Sequence, residues 1–317
     1  MEMMLMMVGF CLAAYSIVAN DAIQTLGTFL ASNSRRPWWV LWLFAVSILT
    51  AVMVYGWVTY SGDVSYGRLA KIPEPDPFNW IYVVPPLVLL FLTRSGIPVS
   101  TTFLILTIFA PKNLTSMLTK SLFGYVLAFS LAIVLYLLVS RVVEKRFMDT
   151  ARKEPPIYWV VLQWASTGFL WSQWLIQDLA NIFVYMPRDL ELGWLVMALA
   201  IMWALHAYTF YTSGGAIQKI VTSKTNTGDI RSATIIDFMF GLILLFFKEY
   251  SKIPMSTTWV FLGLLAGREI AMTIRLQPRP MGETLKIVGL DGLKATAGLG
   301  VSVLLALGLP RIAAWLS

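Results

Sequence analysis

Apolar residues run along this chain in blocks too long for ordinary soluble helices. From Met3 to Asn33 the only formal charge is Asp21, and thirty-one residues at about 1.5 Å each exceed the roughly 30 Å hydrocarbon core of a bilayer. That block is predicted to be tilted or broken. Further apolar runs follow at 38–60, 78–93, 97–110, 117–140, 157–187, 191–212, 234–250, 254–275 and 284–310, which makes ten candidate membrane segments. The runs 78–93 and 97–110 are parted only by Thr93, Arg94, Ser95 and Gly96. Either is marginal for a crossing, leaving two spans or a re-entrant hairpin. The pattern predicts an all-α polytopic membrane protein.

Composition sharpens this. Of 317 residues, 58% are hydrophobic and 13% charged, where soluble domains carry about 25% charged residues; mean hydropathy is +0.72. One cysteine, Cys11, and one histidine, His206, exclude an internal disulfide and zinc centres built on Cys or His pairs. The net charge of +7 lies in joints between apolar runs rather than in a nucleic-acid-binding block, so it reads as topology. Alternate joints divide it unequally. Fourteen basic residues (Arg35, Arg36, Arg94, Arg141, Lys145, Arg146, Arg152, Lys153, Lys219, Lys224, Arg231, Arg275, Arg279, Lys286) fall in the set expected to be cytoplasmic. Seven (Arg68, Lys71, Lys112, Arg188, Lys248, Lys252, Arg311) fall in the other. Both termini are then expected on the outer face of the cell (inner) membrane. Met1 to Ala19 has no basic n-region, so the first run is expected to be retained.

The longest polar stretch, Arg141 to Pro156, contains the helix stop Glu154, Pro155, Pro156 and is expected to be a hinge dividing a first membrane repeat, 1–156, from a second, 157–317. Comparing the halves is informative. Pro98, Val99, Ser100, Thr101, Thr102 recurs as Pro254, Met255, Ser256, Thr257, Thr258 at an offset of 156 residues. Asn20, Asp21, Ala22, Ile23, Gln24 is echoed by Gln177, Asp178, Leu179, Ala180, Asn181 at 157. About five segments per half is an odd number, so equivalent segments cross in opposite directions. Such inverted repeats place a site near the bilayer midplane where the halves meet, commonly on re-entrant or broken helices.

Asp21 and Asp178 sit inside apolar runs, where a carboxylate costs at least about 2.5 kcal/mol on insertion scales. Packing through polar contacts is the plain alternative, but repetition in register favours function. Asp21 with Gln24, and Asp178 with Asn181, gather oxygens suited to Na⁺ or a proton. A proline followed by three hydroxyl residues is typical of a helix N-terminus, where free N–H groups, the dipole and hydroxyl donors bind an anion without Lys or Arg. Lys112 and Arg268 are expected to be interfacial anchors, and Asp291 is expected to pair with Lys294 on one face of the last helix. His206 reads as a satisfied bundle histidine. Trp38, Trp39, Trp57, Trp80 and Trp159 fit an aromatic belt.

These motifs resemble the inorganic phosphate transporter (PiT) family of sodium- or proton-coupled phosphate symporters, some relatives of which carry sulfate. The family's Asn-Asp-x-x-Asn motif is similar to Asn20, Asp21 and Gln24, and its Pro-x-Ser-Thr-Thr motif is matched twice. Gln24, Phe103 and Gln177 depart from the family's residues. The resemblance implies that Ser100, Thr101, Thr102, Ser256, Thr257, Thr258, Asn20 and Gln177 bind substrate. It further implies that Asp21, Gln24, Asp178 and Asn181 bind the coupling cation, with the two aspartates as Na⁺ ligands. The expectation is a symporter of inorganic phosphate working by alternating access, with another oxyanion such as sulfate, or a passive anion channel, as alternatives. With no recognisable nucleophile and base pair, no enzyme activity is expected, and no cofactor beyond Na⁺ or H⁺. Expected partners are the oxyanion, the cation and the lipid bilayer, not nucleic acid; a homo-oligomer is compatible.

Overall fold

The computed structural model describes residues 1–151, 153–250 and 255–316. Eleven helices organise them: α1 Glu2–Ser32, α2 Trp38–Thr59, α3 Val84–Arg94, α4 (102–109), α5 Pro111–Asp149, α6 Ile157–Phe183, α7 Leu192–Tyr211, α8 Gln218–Thr222, α9 Ile230–Tyr250, α10 Thr257–Leu276 and α11 Met281–Leu316. Among the described residues there is no strand. Pro37 opens α2, whose 22 residues carry no charge and no proline, so nothing interrupts its backbone ladder.

Among the described residues, six helices are long and apolar enough to cross a membrane: α1, α2, α5, α7 and most of α9 and α11. The chain is a multi-pass membrane protein. The ten runs do not map onto ten such helices, for a physical reason in each case. In α6, 27 residues long, Gln163, Gln173, Gln177, Asp178 and Asn181 dilute the apolar character. Helix α10 carries Arg268 and Glu269. Helix α3 has 11 residues, about 16 Å of rise, and α4 is shorter still. Neither crosses alone; they pack together as a hairpin around the non-helical stretch 97–100. The break expected in the first run is a π-turn, Val18–Ala22, within α1, whereas α6 runs through Asp178 as regular α-helix.

The polar stretch after 140 is not a hinge along its whole length. Helix α5 continues through a π-turn at Ser140–Glu144 to Asp149, because the charges there have partners elsewhere in the fold. Glu144 is fully buried, taking Asn226 Nδ2 at 3.1 Å, Ser232 Oγ at 2.8 Å and Arg268 Nη2 at 3.4 Å. Arg268 is therefore not an interfacial anchor. It is wholly buried, also bonding Thr225 O at 2.6 Å and Glu269 Oε1 at 3.1 Å, and lying over the Tyr136 ring. Asp291 pairs with Lys224 Nζ at 2.5 Å rather than with Lys294, since Lys224 is itself nearly buried and needs a counter-charge. Lys112 lies at an exposed helix start. His206 is buried edge-on to Trp171, its Nδ1 2.7 Å from Met202 O.

The most extensive pairings join α5 to α10 and α6 to α9. On α10, Gly263 and Gly267 lie so close to α5 that a Cβ at Gly263 would stand 2.5 Å from Tyr125 O, and one at Gly267 would meet Phe129 O. Small residues let two backbones touch where apolar area alone gives helices no reason to associate in lipid. Loops gather at two ends. At one, Leu190 N bonds Gly62 O at 3.2 Å, Arg188 pairs with Glu74, and Asn113 reaches Lys71 O. At the other, Arg231 reaches Phe147 O and Thr150, and a cavity is lined by Arg35, Arg36, Lys153 and Arg231. Arg152 and Lys252 lie outside the described residues.

Candidate functional site

A π-turn inserts one extra residue into a helical turn and disturbs the regular ladder. In α1 it carries Asn20 and Asp21, both buried, into the protein interior. Asn20 Nδ2 donates to Val99 O at 2.8 Å. Gln24 Nε2 donates to Asn20 Oδ1 at 3.0 Å and lies 3.5 Å from Asp21 Oδ1. Asp21 Oδ2 accepts from the hydroxyl of Thr101, and its Oδ1 lies 3.3 Å from Thr258 Oγ1. This one carboxylate therefore meets both hydroxyl motifs.

The motifs themselves are helix starts, as their composition predicts. Ser100 Oγ accepts from Phe103 N at 3.3 Å, and Ser256, the N-cap of α10, accepts from Trp259 N at 3.4 Å. Each serine oxygen is occupied as acceptor while its own proton remains available to donate. The two tips cross reciprocally. Thr102 Oγ1 donates to Met255 O at 3.2 Å, and Thr258 Oγ1 lies 3.1 Å from Val99 O. The fifth residue of each motif thus reaches the backbone carbonyl of the second residue of the other. Pro254 lies outside the described residues.

From α6, Asn181 Nδ2 donates to Asp178 Oδ1 at 2.8 Å and lies 3.0 Å from Thr101 Oγ1 and 3.2 Å from Thr102 Oγ1. Thr257 is buried at the start of α10 and interacts with Asp178. Asp178 and Asp21 are each 1% exposed. Asp178 Oδ2 and Asn181 Oδ1 are buried without a hydrogen-bond partner among the described residues. Two unpaired acceptors on residues three apart in one helix, both buried, are costly unless a cation or proton satisfies them. Of the residues expected from sequence, the fold brings Asn20, Asp21, Gln24, Asp178, Asn181 and both hydroxyl motifs together. Gln177 differs: its Nε2 donates to Leu244 O on α9 at 2.7 Å, away from the cluster.

Two buried charged groups near this core carry no motif. Asp237, on α9 and 1% exposed, accepts from Thr28 on α1 and from Thr167 on α6, the latter at 2.5 Å. Gln163 and Asn33 extend that chain of polar contacts. A charge inside the run 234–250 was the available signal. Arg68, 3% exposed, stands on a short 3₁₀ turn, Arg68–Lys71, packed against α6. In the sequence it stands among ordinary joint residues, with no motif around it.

Set against solved structures, the chain shares its fold with one titled "The sodium-dependent phosphate transporter", at a TM-score of 0.61 over 97% of this chain and 98% of that one, with 17% identity. No family model and no curated protein matches the sequence. The architecture is thus held in common end to end between chains whose residues differ at most positions.

Proposed function

We propose that this protein is a secondary transporter of inorganic phosphate, a symporter driven by Na⁺ or H⁺ and working by alternating access. The observation that carries the reading is the reciprocal crossing of two hydroxyl-bearing helix starts around two buried carboxylates, beside the orphan oxygens Asp178 Oδ2 and Asn181 Oδ1. Helix starts and hydroxyls favour an anion; unpaired carboxylate and amide oxygens favour a cation. Binding the cation neutralises carboxylates that otherwise repel the anion, which gives the two ligands positive coupling. In this reading Ser100, Thr101, Thr102, Ser256, Thr257 and Thr258 grip the oxyanion with Asn20, and Asp21, Gln24, Asp178 and Asn181 hold the cation.

The residues 1–156 and 157–317 act as two inverted repeats, with both chain ends facing outward from the cell membrane. A shared fold with a sodium-dependent phosphate transporter, together with the PiT-like motifs, favours phosphate and Na⁺ as the ligands. Phosphate near neutral pH keeps an O–H that a carboxylate can accept, whereas sulfate offers only lone pairs and leaves the carboxylates facing repulsion. Radiolabelled phosphate uptake into proteoliposomes, under separate Na⁺ and H⁺ gradients, tests both parts. Accumulation driven by one gradient, suppressed by unlabelled phosphate or arsenate but not by equal sulfate, is the expected result. Preferential transport of sulfate, or equilibration without accumulation, would overturn the reading.

A further inference from the structure

Among the described residues, buried arginines have hydrogen-bonded or ion-paired partners, with one exception. Arg268 is held by Glu144 and Glu269, Arg231 by Asp229, and the largely buried Arg188 by Glu74 and Ile72 O. Arg68 is only 3% exposed, and among the described residues its guanidinium has neither an ion pair nor a hydrogen bond within reach. Its electrostatic neighbours are Asp178, on the helix α6 against which its turn packs, and the like-charged Lys120. Burial draws its pKa down to about 10 while Asp178 works in the other direction, so it remains a cation at neutral pH.

The turn that presents it is firmly built. Asp63 Oδ1 accepts from Ser65 N at 2.7 Å and Oδ2 from Gly67 N at 2.8 Å, while Ser65 Oγ accepts from Leu69 N at 3.3 Å. Gly67, at φ 74°, takes a left-handed conformation that a side chain would strain. A chain that fixes a turn in this way and then buries a cation with no hydrogen-bonded or ion-paired partner among the described residues is holding that cation ready for a ligand.

The geometry points to Arg68 as a substrate-binding residue, a guanidinium held on the Asp178 side of the site to pair with the transported oxyanion. This rests on the transport reading above. The hydroxyl tips and helix starts supply only partial charges, and the two aspartates oppose an anion. A full positive charge contributed by the protein itself balances them, and the planar fork of arginine matches two oxygens of a tetrahedral oxyanion, as a lysine ammonium does not.

The full chain reconstituted in proteoliposomes, as wild type, Arg68→Gln and Arg68→Lys, decides the matter through the KM and maximal rate of radiolabelled phosphate uptake at saturating driving cation. The expected result is a KM raised about tenfold or more in R68Q and less in R68K, with the cation concentration for half-maximal rate at saturating phosphate little changed. Phosphate should also raise the melting temperature of the detergent-solubilised wild type and fail to raise that of R68Q. If R68Q does not reach the membrane, R68K decides, with an expected KM increase of roughly threefold or more. An unchanged KM in the variant that folds, whether or not the maximal rate falls, makes Arg68 a structural residue and overturns the inference alone. Absence of uptake and of phosphate stabilisation in the wild type would instead remove the transport reading beneath it.

Discussion

At the scale of single residues, Asn181 does more than its neighbours. Its amide nitrogen holds Asp178 and lies against two hydroxyls of the first tip, while its oxygen is left over. We expect Asp21→Asn and Asp178→Asn each to lower cation-driven uptake by about tenfold or more, within the usual range of coupling energies, while the protein still reaches the membrane. Uptake normalised to membrane-inserted protein checks this, and normal uptake with unchanged cation dependence would make the aspartate a packing residue. The residue types of this cluster are plain in the sequence, because a carboxylate inside an apolar run has few uses. Side-chain directions are not. Gln177 occupies the motif position equivalent to Asn20, yet it turns to Leu244 O, since helix rotation is set by whichever helix packs alongside. Arg68 reads as one more joint cation because its burial depends on a turn folding back onto α6.

At the scale of elements, α5 and α10 are joined backbone to backbone. Gly263 and Gly267 are four apart on α10, and Gly124, Ala128 and Ala132 mark the same spacing on α5, with Gly124 lying against Val260. These stripes were legible, but a reading based on hydropathy passes over them because Gly and Ala contribute little to it. We expect Gly267→Val to destabilise the protein by about 1–3 kcal/mol through overpacking, seen as a lower melting temperature in detergent, with the open helical position Gly300→Ala as a control that does not lower it. Equal melting of the two variants would mean that the helices separate freely. The extension of α5 beyond residue 140 was harder to anticipate. Its buried acid, Glu144, meets Arg268 across 124 residues of chain, and no local pattern announces a partner so distant.

At the scale of the whole molecule, the basic-residue count divides the joints into two groups, and the fold gathers loops from each at opposite ends. Asp76, Glu191 and Lys153 are exposed, which makes orientation measurable. In a Cys11→Ala background, cysteines replacing Asp76 and Glu191 should react with an impermeant thiol reagent added outside intact cells, and one replacing Lys153 should not. Labelling of the 153 position alone would invert the topology. Segment positions and the twofold repetition of motifs were open to sequence reading, because hydropathy and register are local properties. The unequal lengths of the helices leading into the two tips were not, because the runs 78–93 and 234–250, alike in extent, fold here into helices of 11 and 21 residues.

A hydroxyl has a single proton, and that of Thr101 goes to Asp21 while its oxygen lies against the amide of Asn181, which is itself tied to Asp178. The two carboxylates are consequently wired in series through one rotor. Whatever captures Asp21 releases that proton, lets the hydroxyl turn, and alters the grip of Asn181 on Asp178, so neither half can change its load unnoticed by the other. For a carrier, such wiring acts against slippage, the futile passage of a cation without its cargo.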